Sequence, residues 1–510
     1  MRSEKLLIHH YICPFDRYLS LTMFIGIDDT DSERGLCTTY LAAVLMERLA
    51  PWGEICGLPR LIRLNPCVRY KTRGNAALTF SLDSEQPDMV KRVALQTLLE
   101  LSDLSGANTN PGLVIAEEVT ERMKAFYCSA VREILSIDAA RSLLDEEGIW
   151  YRGFKKGRGL IGALAAVGAE LPDWTYELIA YRQPSRWGTP RFIDHSTVWE
   201  ADRLTYPLTW DTVDHHNGRV VFAPHSADPV LFGIRGSDPT AIKRAFEAIR
   251  SEPVDRYVLY QTNQGTDAHI LPGEIGRISE NQSYRLHGFV AGPARVIPGG
   301  HLFFTLENGG GGLSEEGLEG ESPDGKWHNE KGPNGEGLNE KWLDGERRNE
   351  ERHNGKRHNG KRHNGKRHNG ERLDGGGVKR GRRIECAAFE PTKNFRDIIK
   401  KLRRGDELEV YGSVRDGTMN LEKINILHLA PDRVKAAPLC PQCHRRMKSA
   451  GKDQGYRCRL CKSRSSSPAI EDRPRDLERG YYEVPPCARR HLSLPLIRLN
   501  RTDICLHPSR

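Results

Sequence analysis

"MFIGIDDTDSERGLCTTYL", residues 23–41, is the stretch on which the reading of this chain turns. A short apolar run ends in Asp28, Asp29 and Asp31. Gly35 follows, and then Thr38 and Thr39 open a helical pattern, "CTTYLAAVLMERLA". Carboxylates at the end of a strand, beside a helix start, stand where open α/β sheets place ligands. Three aspartates in four positions repel one another unless a cation sits among them. Mg²⁺ with a nucleotide phosphate meets that need, because magnesium is held by one or two carboxylates plus phosphate oxygens. "DDTDS" fits a plain turn and helix cap equally well, and pattern alone leaves both readings open.

The 510 residues suffice for about three domains. Hydrophobic content is 38%, low for one globular body. No apolar run approaches the ~18 residues of a membrane span. "MRSEKLLIHHYICPFDRYLSLT", residues 1–22, begins with positive charge but has too short an apolar core for a signal peptide. A cytoplasmic protein is expected, whose twelve cysteines serve as metal ligands or free thiols before disulfides. Charge is uneven. Residues 1–307 carry 33 Lys and Arg against 38 Asp and Glu, and residues 379–510 carry 30 against 16. A basic C-terminal third behind an acidic front points to nucleic-acid contact, although a solvated basic surface has the same composition.

Residues 308–378 differ from everything around them. They are rich in Gly and Asn, nearly free of aliphatics, and repeat RHNGK with a period of five. That period suits neither helix nor strand, and the segment cannot bury enough apolar surface to order itself. Its spaced histidines, His353, His358, His363 and His368, could hold a metal loosely, but a repeat-expanded polar loop explains them.

The flanks of this insertion read as one domain, 284–430. Strand patterns "SYRLHGFVAG" and "GHLFFTLEN" precede it. "RRIECAAFEP", the helical "TKNFRDIIKKLRRG", "DELEVYGSVRD" and "TMNLEKINILHLA" follow. Strand, strand, strand, helix, strand, strand is the order of an OB-fold barrel, with the insertion in the turn between its second and third strands. Next comes "LCPQCHRRMKSAGKDQGYRCRLCKS", within 436–466, which pairs Cys440 and Cys443 with Cys458 and Cys461. Two C-x2-C knuckles about fourteen residues apart supply four thiolates to one tetrahedral Zn²⁺. Residues 467–510 are read as a C-terminal tail.

Residues 23–283 alternate strand and helix patterns and form an α+β or α/β body of two domains with no clear border. Two further loops in it are rich in Gly and cations. "YRGFKKGRGLIGALAAVGAE", 151–170, places Lys155, Lys156 and Arg158 before Gly159 at a helix start suited to a phosphate. A plain helix start, close-packed at Gly162 and Ala163, is the alternative. "RLNPCVRYKTRGNAAL", 63–78, carries Lys71 and Arg73 in a similar setting.

Taken in order, "GIDDTDSERGLCTTYL", "RLIRLNPCVRYKTRGN", "KKGRGLIGALAAVGAE", "LIAYR", "VLFGIRG", "CAAFEPTKNFRDIIKKLRRGD", the paired knuckles and "YYEVPPCARRHLSLPLIRLN" resemble the archaeal tRNA-isoleucine 2-agmatinylcytidine synthetases. The resemblance covers most of 23–307 and 379–500. It implies a multidomain α+β chain: a kinase-like α/β domain, a ferredoxin-like domain, an OB-fold barrel and a zinc ribbon. It implies an ATP-dependent ligase that joins agmatine to carbon 2 of the wobble cytidine of an isoleucine tRNA with a CAU anticodon, for decoding AUA. ATP, Mg²⁺ and structural Zn²⁺ would be its cofactors, with no membrane partner. By the same resemblance Asp28, Asp29 and Asp31 hold phosphates and metal, and Thr38 takes up a phosphate. Lys71, Arg73, Lys155, Lys156, Arg158 and Gly159 would line the nucleotide and substrate site. Two features depart from the family: residues 1–22, read as a dispensable extension or a mis-assigned start ahead of Met23, and the insertion. The rival readings are a non-catalytic tRNA-binding module and a different ATP-dependent RNA-modifying enzyme.

Overall fold

The computed structural model describes residues 21–32, 35–69, 74–226, 229–309, 383–451 and 454–510. The expectations for residues 1–20 and for 310–378 lie outside the described residues.

The front body begins with β1 (Leu21–Asp28), α1 (Thr38–Leu49), β2 (Glu54–Arg63), β3 (Ala76–Ser84), α2 (Pro87–Glu100), β4 (Gly112–Ala116), α3 (Glu121–Arg132), α4 (Ile137–Glu146), β5 (Trp150–Gly153) and α5 (Gly159–Val167). β1 starts two residues before Met23: Leu21 and Thr22 pair with Ser84 and Asp83, and the Thr22 hydroxyl donates to Asp83 Oδ1 at 2.6 Å. The strand alternates as its period of two requires. Met23, Ile25 and Ile27 pack under α1 and α2, while Phe24 packs with residues of α3, α4 and α5. On that second face α5 lies directly on the strand. A Cβ on Gly26 would sit 2.2 Å from the Ala163 carbonyl oxygen, so only glycine permits the approach.

The second part of the body is β6 (Thr175–Arg182), α6 (His195–Thr205), β7 (Thr209–Trp210), β8 (Val213–Asp214), β9 (Arg219–Val220), β10 (Val230–Gly236), α7 (Pro239–Ala248) and β11 (Val254–Thr262). Both parts share one nine-stranded sheet, ordered β5-β4-β1-β3-β2-β11-β6-β10-β7. β2 and β11 meet in a parallel contact of two residue pairs, Arg60 with Gln261 and Leu61 with Thr262. Within each part every neighbouring pair is antiparallel. The front body is the expected mixture of helices and strands, and the strands of its first part pair antiparallel. The acidic strand end owes its place to local packing rather than to the ligand crevice of parallel sheets.

β12 (Ile270–Pro272) leads into a closed barrel of β13 (Ser283–Val290), β15 (His301–Glu307), β16 (Arg383–Ala388), β17 (Glu407–Arg415) and β18 (Thr418–His428). A short β14 (Arg295–Ile297) and α8 (Phe395–Lys400) complete it. The strands close in the order β13-β15-β16-β18-β17-β13 around Leu286, Phe304, Ile399, Val410 and Ile424. The strand and helix order expected of the domain is the one observed. Glu307 and Arg383 face each other across β15 and β16, with Arg383 Nη2 2.8 Å from Glu307 Oε2, so the insertion leaves and re-enters at neighbouring points.

β19 (Asp432–Ala436) precedes the cysteine knuckles, which hold β20 (Lys448–Ser449), β21 (Tyr456–Arg457) and β22 (Arg464–Ser465). The expected C-terminal tail, 467–510, is not a free tail. Its β23 (Ala469–Arg473) pairs with β19, its β24 (Gly480–Glu483) extends the barrel beside β18, and β25 (Leu506–His507) adds to β24. The buried guanidinium of Arg489 ties this stretch to the front body, pairing with Asp211 and, at 2.9 Å, with Glu483 Oε1. Pro-rich sequence without alternation hides such anchoring, because the contacts come from single buried side chains. Among the described residues no helix is long and apolar enough to cross a membrane.

Candidate active site

The three aspartates meet four elements: the end of β1, the loop before β4, and the starts of α1 and α5. Asp31 caps α1 from a distance. Its Oδ1 accepts the Thr38 backbone N–H at 2.6 Å and the Thr38 hydroxyl at 2.7 Å. Cys37, the residue in the cap position, makes no side-chain cap bond. The Thr30 hydroxyl donates to Thr38 Oγ1 at 3.0 Å, and the Thr109 hydroxyl holds the Asp31 carbonyl at 2.7 Å. The turn-and-cap reading thus holds for Asp31.

It does not hold for the other two. Asp29 has a left-handed backbone, φ 58°, and its carboxylate is gripped by Arg158 through Nε at 2.8 Å and Nη2 at 3.0 Å. The Asn110 amide reaches it at 3.5 Å. Asp28 lies beneath the first turn of α5, where a Cβ on Gly162 would stand 1.9 Å from its Oδ2. No ion pair reaches Asp28 among the described residues. Burial pushes its carboxyl well above the usual range, and the charges of Asp29 and Asp31 add to the push, outweighing Arg158. Burial also raises Asp29 despite the Arg158 hydrogen bonds. Two half-buried carboxyl groups held above their usual range mark a site short of positive charge.

The second part of the body closes the site from behind α1. The Tyr260 hydroxyl donates to the Thr39 carbonyl at 3.2 Å and lies 3.2 Å from the Tyr181 hydroxyl.

The loop 151–170 packs its helix start against the loop before β4. The Gly159 amide bonds to the Asn110 carbonyl at 2.9 Å, and the next two amides bond to Gly157 and Arg158. The helix start is therefore spoken for, and Gly159 serves close packing: a Cβ there would meet the Gly112 nitrogen at 2.4 Å and the Asp28 carbonyl at 2.5 Å. Arg158 is an aspartate clamp rather than a free cation. Lys155 bonds the Gly106 carbonyl, and Lys156 is exposed. Lys71 and Arg73 lie outside the described residues. The base of their loop is pinched by Leu64 N–H to the Asn75 carbonyl, 3.0 Å, and Asn75 Nδ2 to the Asn65 carbonyl, 3.1 Å. Sequence reasoning missed Thr30, Thr109 and Asn110. Thr30 stood inside the quoted motif, whereas "NTNPG" at 108–112 carries no signal beyond that of a turn.

Family models match three segments: the TiaS TCKD domain over 24–89, the TiaS FLD domain over 157–269, and the TiaS C-terminal zinc ribbon domain over 437–477. A tRNA-isoleucine 2-agmatinylcytidine synthetase TiaS of Methanosarcina mazei is 43% identical over 498 residues, covering 96% of this chain and all of the relative. The chain belongs to the tRNA-isoleucine 2-agmatinylcytidine synthetase family.

A synthetase of the same description from Pyrococcus horikoshii is 36% identical over 497 residues, again covering 96% of this chain and all of the relative. A crystal structure of TiaS in complex with its isoleucine tRNA and ATP is 39% identical with a TM-score of 0.76. One of TiaS with that tRNA, AMPCPP and agmatine is 37% identical with a TM-score of 0.74. Each covers 96% of this chain and all of its own. The first matched segment carries the acidic cluster and α1.

The third segment carries the expected metal centre. The sulfurs of Cys440, Cys443, Cys458 and Cys461 all lie within 4.8 Å of one another, and those of Cys443 and Cys458 are 3.6 Å apart. The Cys443 and Gln442 amides draw the Cys440 thiol down to about 6, whereas a hydrogen bond to the Cys443 sulfur pushes Cys461 up to about 12. Four soft sulfurs around a common point, two of them buried, fit a closed tetrahedral Zn²⁺ site.

Proposed function

We propose that this chain conjugates agmatine to carbon 2 of the wobble cytidine of an isoleucine tRNA, at the expense of ATP. The observation that carries the reading is the acidic cluster around Thr38, in a chain that aligns end to end with synthetases of that reaction. The first part of the front body would be its kinase-like domain and the second its ferredoxin-like domain. The barrel would be its OB-fold, and the setting the cytoplasm.

The cytosine carbonyl oxygen is a poor leaving group. Transfer of the γ-phosphoryl to it forms an oxygen–phosphorus bond while the bond to the rest of the nucleotide breaks. The amine of agmatine then attacks carbon 2. The carbon–oxygen bond breaks, phosphate leaves with that oxygen, and the amine loses a proton. Such transfers ask for positioning and charge neutralisation more than for covalent help.

Asp28, Asp29 and Asp31 offer hard oxygen donors, and the raised carboxyl groups of Asp28 and Asp29 fit a site completed by a cation. Mg²⁺ held there would neutralise phosphate charge. Arg158 fixes the Asp29 carboxylate in place. Asp31 already accepts the Thr38 proton, which suits that hydroxyl for taking up a phosphoryl group. Lys71, Arg73, Lys155 and Lys156 would face phosphate or substrate from the two loops. The basic ribbon and barrel would grip the tRNA so that a single anticodon base turns outward.

The test incubates the protein with ATP, radiolabelled agmatine and total tRNA, then identifies the labelled nucleoside. Label in 2-agmatinylcytidine from isoleucine tRNA is expected. tRNA binding without ATP turnover would leave a non-catalytic module, and label in another nucleoside would mean a different RNA-modifying enzyme.

A further inference from the structure

Beyond the ribbon in sequence, a second group of metal-ligating side chains gathers where β25 joins β24. Glu478 stands two residues before β24, Cys505 one residue before β25, and His507 ends β25. One ligand atom from each lies within 4.8 Å of the other two. The backbone sets them there. Tyr481 pairs with Leu506 and Tyr482 with His507 in parallel register, and the Tyr481 N–H bonds to the Cys505 carbonyl at 3.0 Å. The imidazole is also oriented: it stacks flat on Tyr482, 4.1 Å between ring centres with 5° between planes. Its Nε2 then stands 3.9 Å from Glu478 Oε2. It meets the Arg479 carbonyl only at 3.5 Å, a poor hydrogen bond.

We infer that Glu478, Cys505 and His507 form a second zinc site, apart from the ribbon, with its fourth position taken by water. A thiolate, an imidazole and a carboxylate are a zinc donor set, and neither Mg²⁺ nor Ca²⁺ prefers sulfur. Zinc bond lengths of about 2.0–2.3 Å at tetrahedral angles place ligand atoms roughly 3.3–3.8 Å apart. Closing from 4.8 Å needs only a rotamer change, which the exposed Glu478 side chain, 78% accessible, is free to make.

The site would act as a staple. β25 pairs with β24 at two residue pairs. Just beyond it, the Ser509 N–H bonds to Glu483 Oε1 at 3.0 Å and Arg510 Nη2 lies 2.8 Å from Asp202 Oδ2 on α6. Metal at Cys505 would fix the strand that joins the barrel edge to the front body.

The experiment counts zinc in the full-length protein by elemental analysis after dialysis against zinc-containing and then metal-free buffer. About two zinc per chain are expected, falling to about one in Cys505→Ser and in His507→Gln, with the ribbon cysteines intact. Peptide mapping after alkylation gives an independent reading: zinc should slow modification of Cys505 at least tenfold, and a chelator should restore it. These side chains stand at or near the surface, so folding of the variants is checked by their unchanged melting in chelator. One zinc in the wild type, two zinc in Cys505→Ser, or alkylation of Cys505 at one rate with and without zinc would each overturn the site.

Discussion

Two clusters of acid in this molecule, one buried and one half-buried, are built to opposite ends. On β18, Glu422 is 2% exposed and is met by the His269 imidazole, with Nε2 at 3.2 Å, by Arg490 Nη1 at 3.7 Å and by the neighbouring Lys423. Burial alone would raise its carboxyl, yet these partners hold it at about 2. Lys423 is answered in turn by Asp267, 2.6 Å away. At the end of β1 three carboxylates face one contacting guanidinium, and two of them are pushed up rather than down. The first cluster is finished by the chain itself and joins the barrel to the front body. The second keeps more negative than positive charge among the described residues. Burial of charge therefore does not separate structure from function here; the balance of partners does.

The sharpest break between the two comes from neutralising one acid in each. Asp28→Asn should cut agmatine incorporation by about a hundredfold or more while raising the melting temperature measured in chelator. The sign follows from the shift. A carboxyl whose folded pKa is raised penalises the folded state above its unfolded value, near 3.9. Wild type should therefore gain stability relative to the variant as pH falls through the raised value. A full rate together with a lower melting temperature would erase the distinction and leave the acidic strand end a turn.

Glu422→Gln should do the reverse, costing about 1–3 kcal/mol because His269 and Arg490 lose a buried, charged acceptor. Here the folded pKa is depressed. The contribution is present above the unfolded value, about 4.3, and fades as pH falls toward about 2. Urea melts at pH 7 and pH 3 should show the gap between wild type and variant narrowing in acid.

A smaller effect separates Asp31 from its neighbours. Asp31→Ala removes the distant cap of α1 and should cost about 1–2 kcal/mol, so this aspartate, unlike Asp28, should lower both stability and rate. Thr38→Ala should abolish any phosphate uptake on this segment, read by mass spectrometry after incubation with ATP. The smallest effect is expected from joining Asn308 to Lys379. The chain on either side of the insertion is joined by the Glu307–Arg383 pair, and removing the insertion should leave incorporation within about twofold, inside the ~0.5 kcal/mol range of surface changes. A loss of tRNA affinity would instead make the basic repeat an RNA-binding arm.

Local chemistry was legible wherever partners sit close in the chain. The C-x2-C knuckles declared their metal and the alternation of β13 and β15 declared a barrel split by an insertion, whereas the acids after β1 left a site and a turn equally open. What stayed hidden had distant partners. β4, "GLVIA", is buried at all five positions, so it shows no alternation to betray a strand.

The sequence by itself determined the inventory: a strand ending in three acids, a helix opening on Thr38, a basic rear and four paired cysteines, because short-range periodicity and ligand spacing are properties of neighbours in the chain. Only the tertiary structure decided the assignments. Arg158, 129 positions from Asp29, became its clamp instead of a phosphate cradle; Asp31 became the cap that Cys37 does not provide; and the last forty residues became part of the body. Those outcomes depend on which charges are buried together. Burial is a property of the packed molecule, set when α5 settles onto β1 through glycine contacts that spacing along the chain does not reveal.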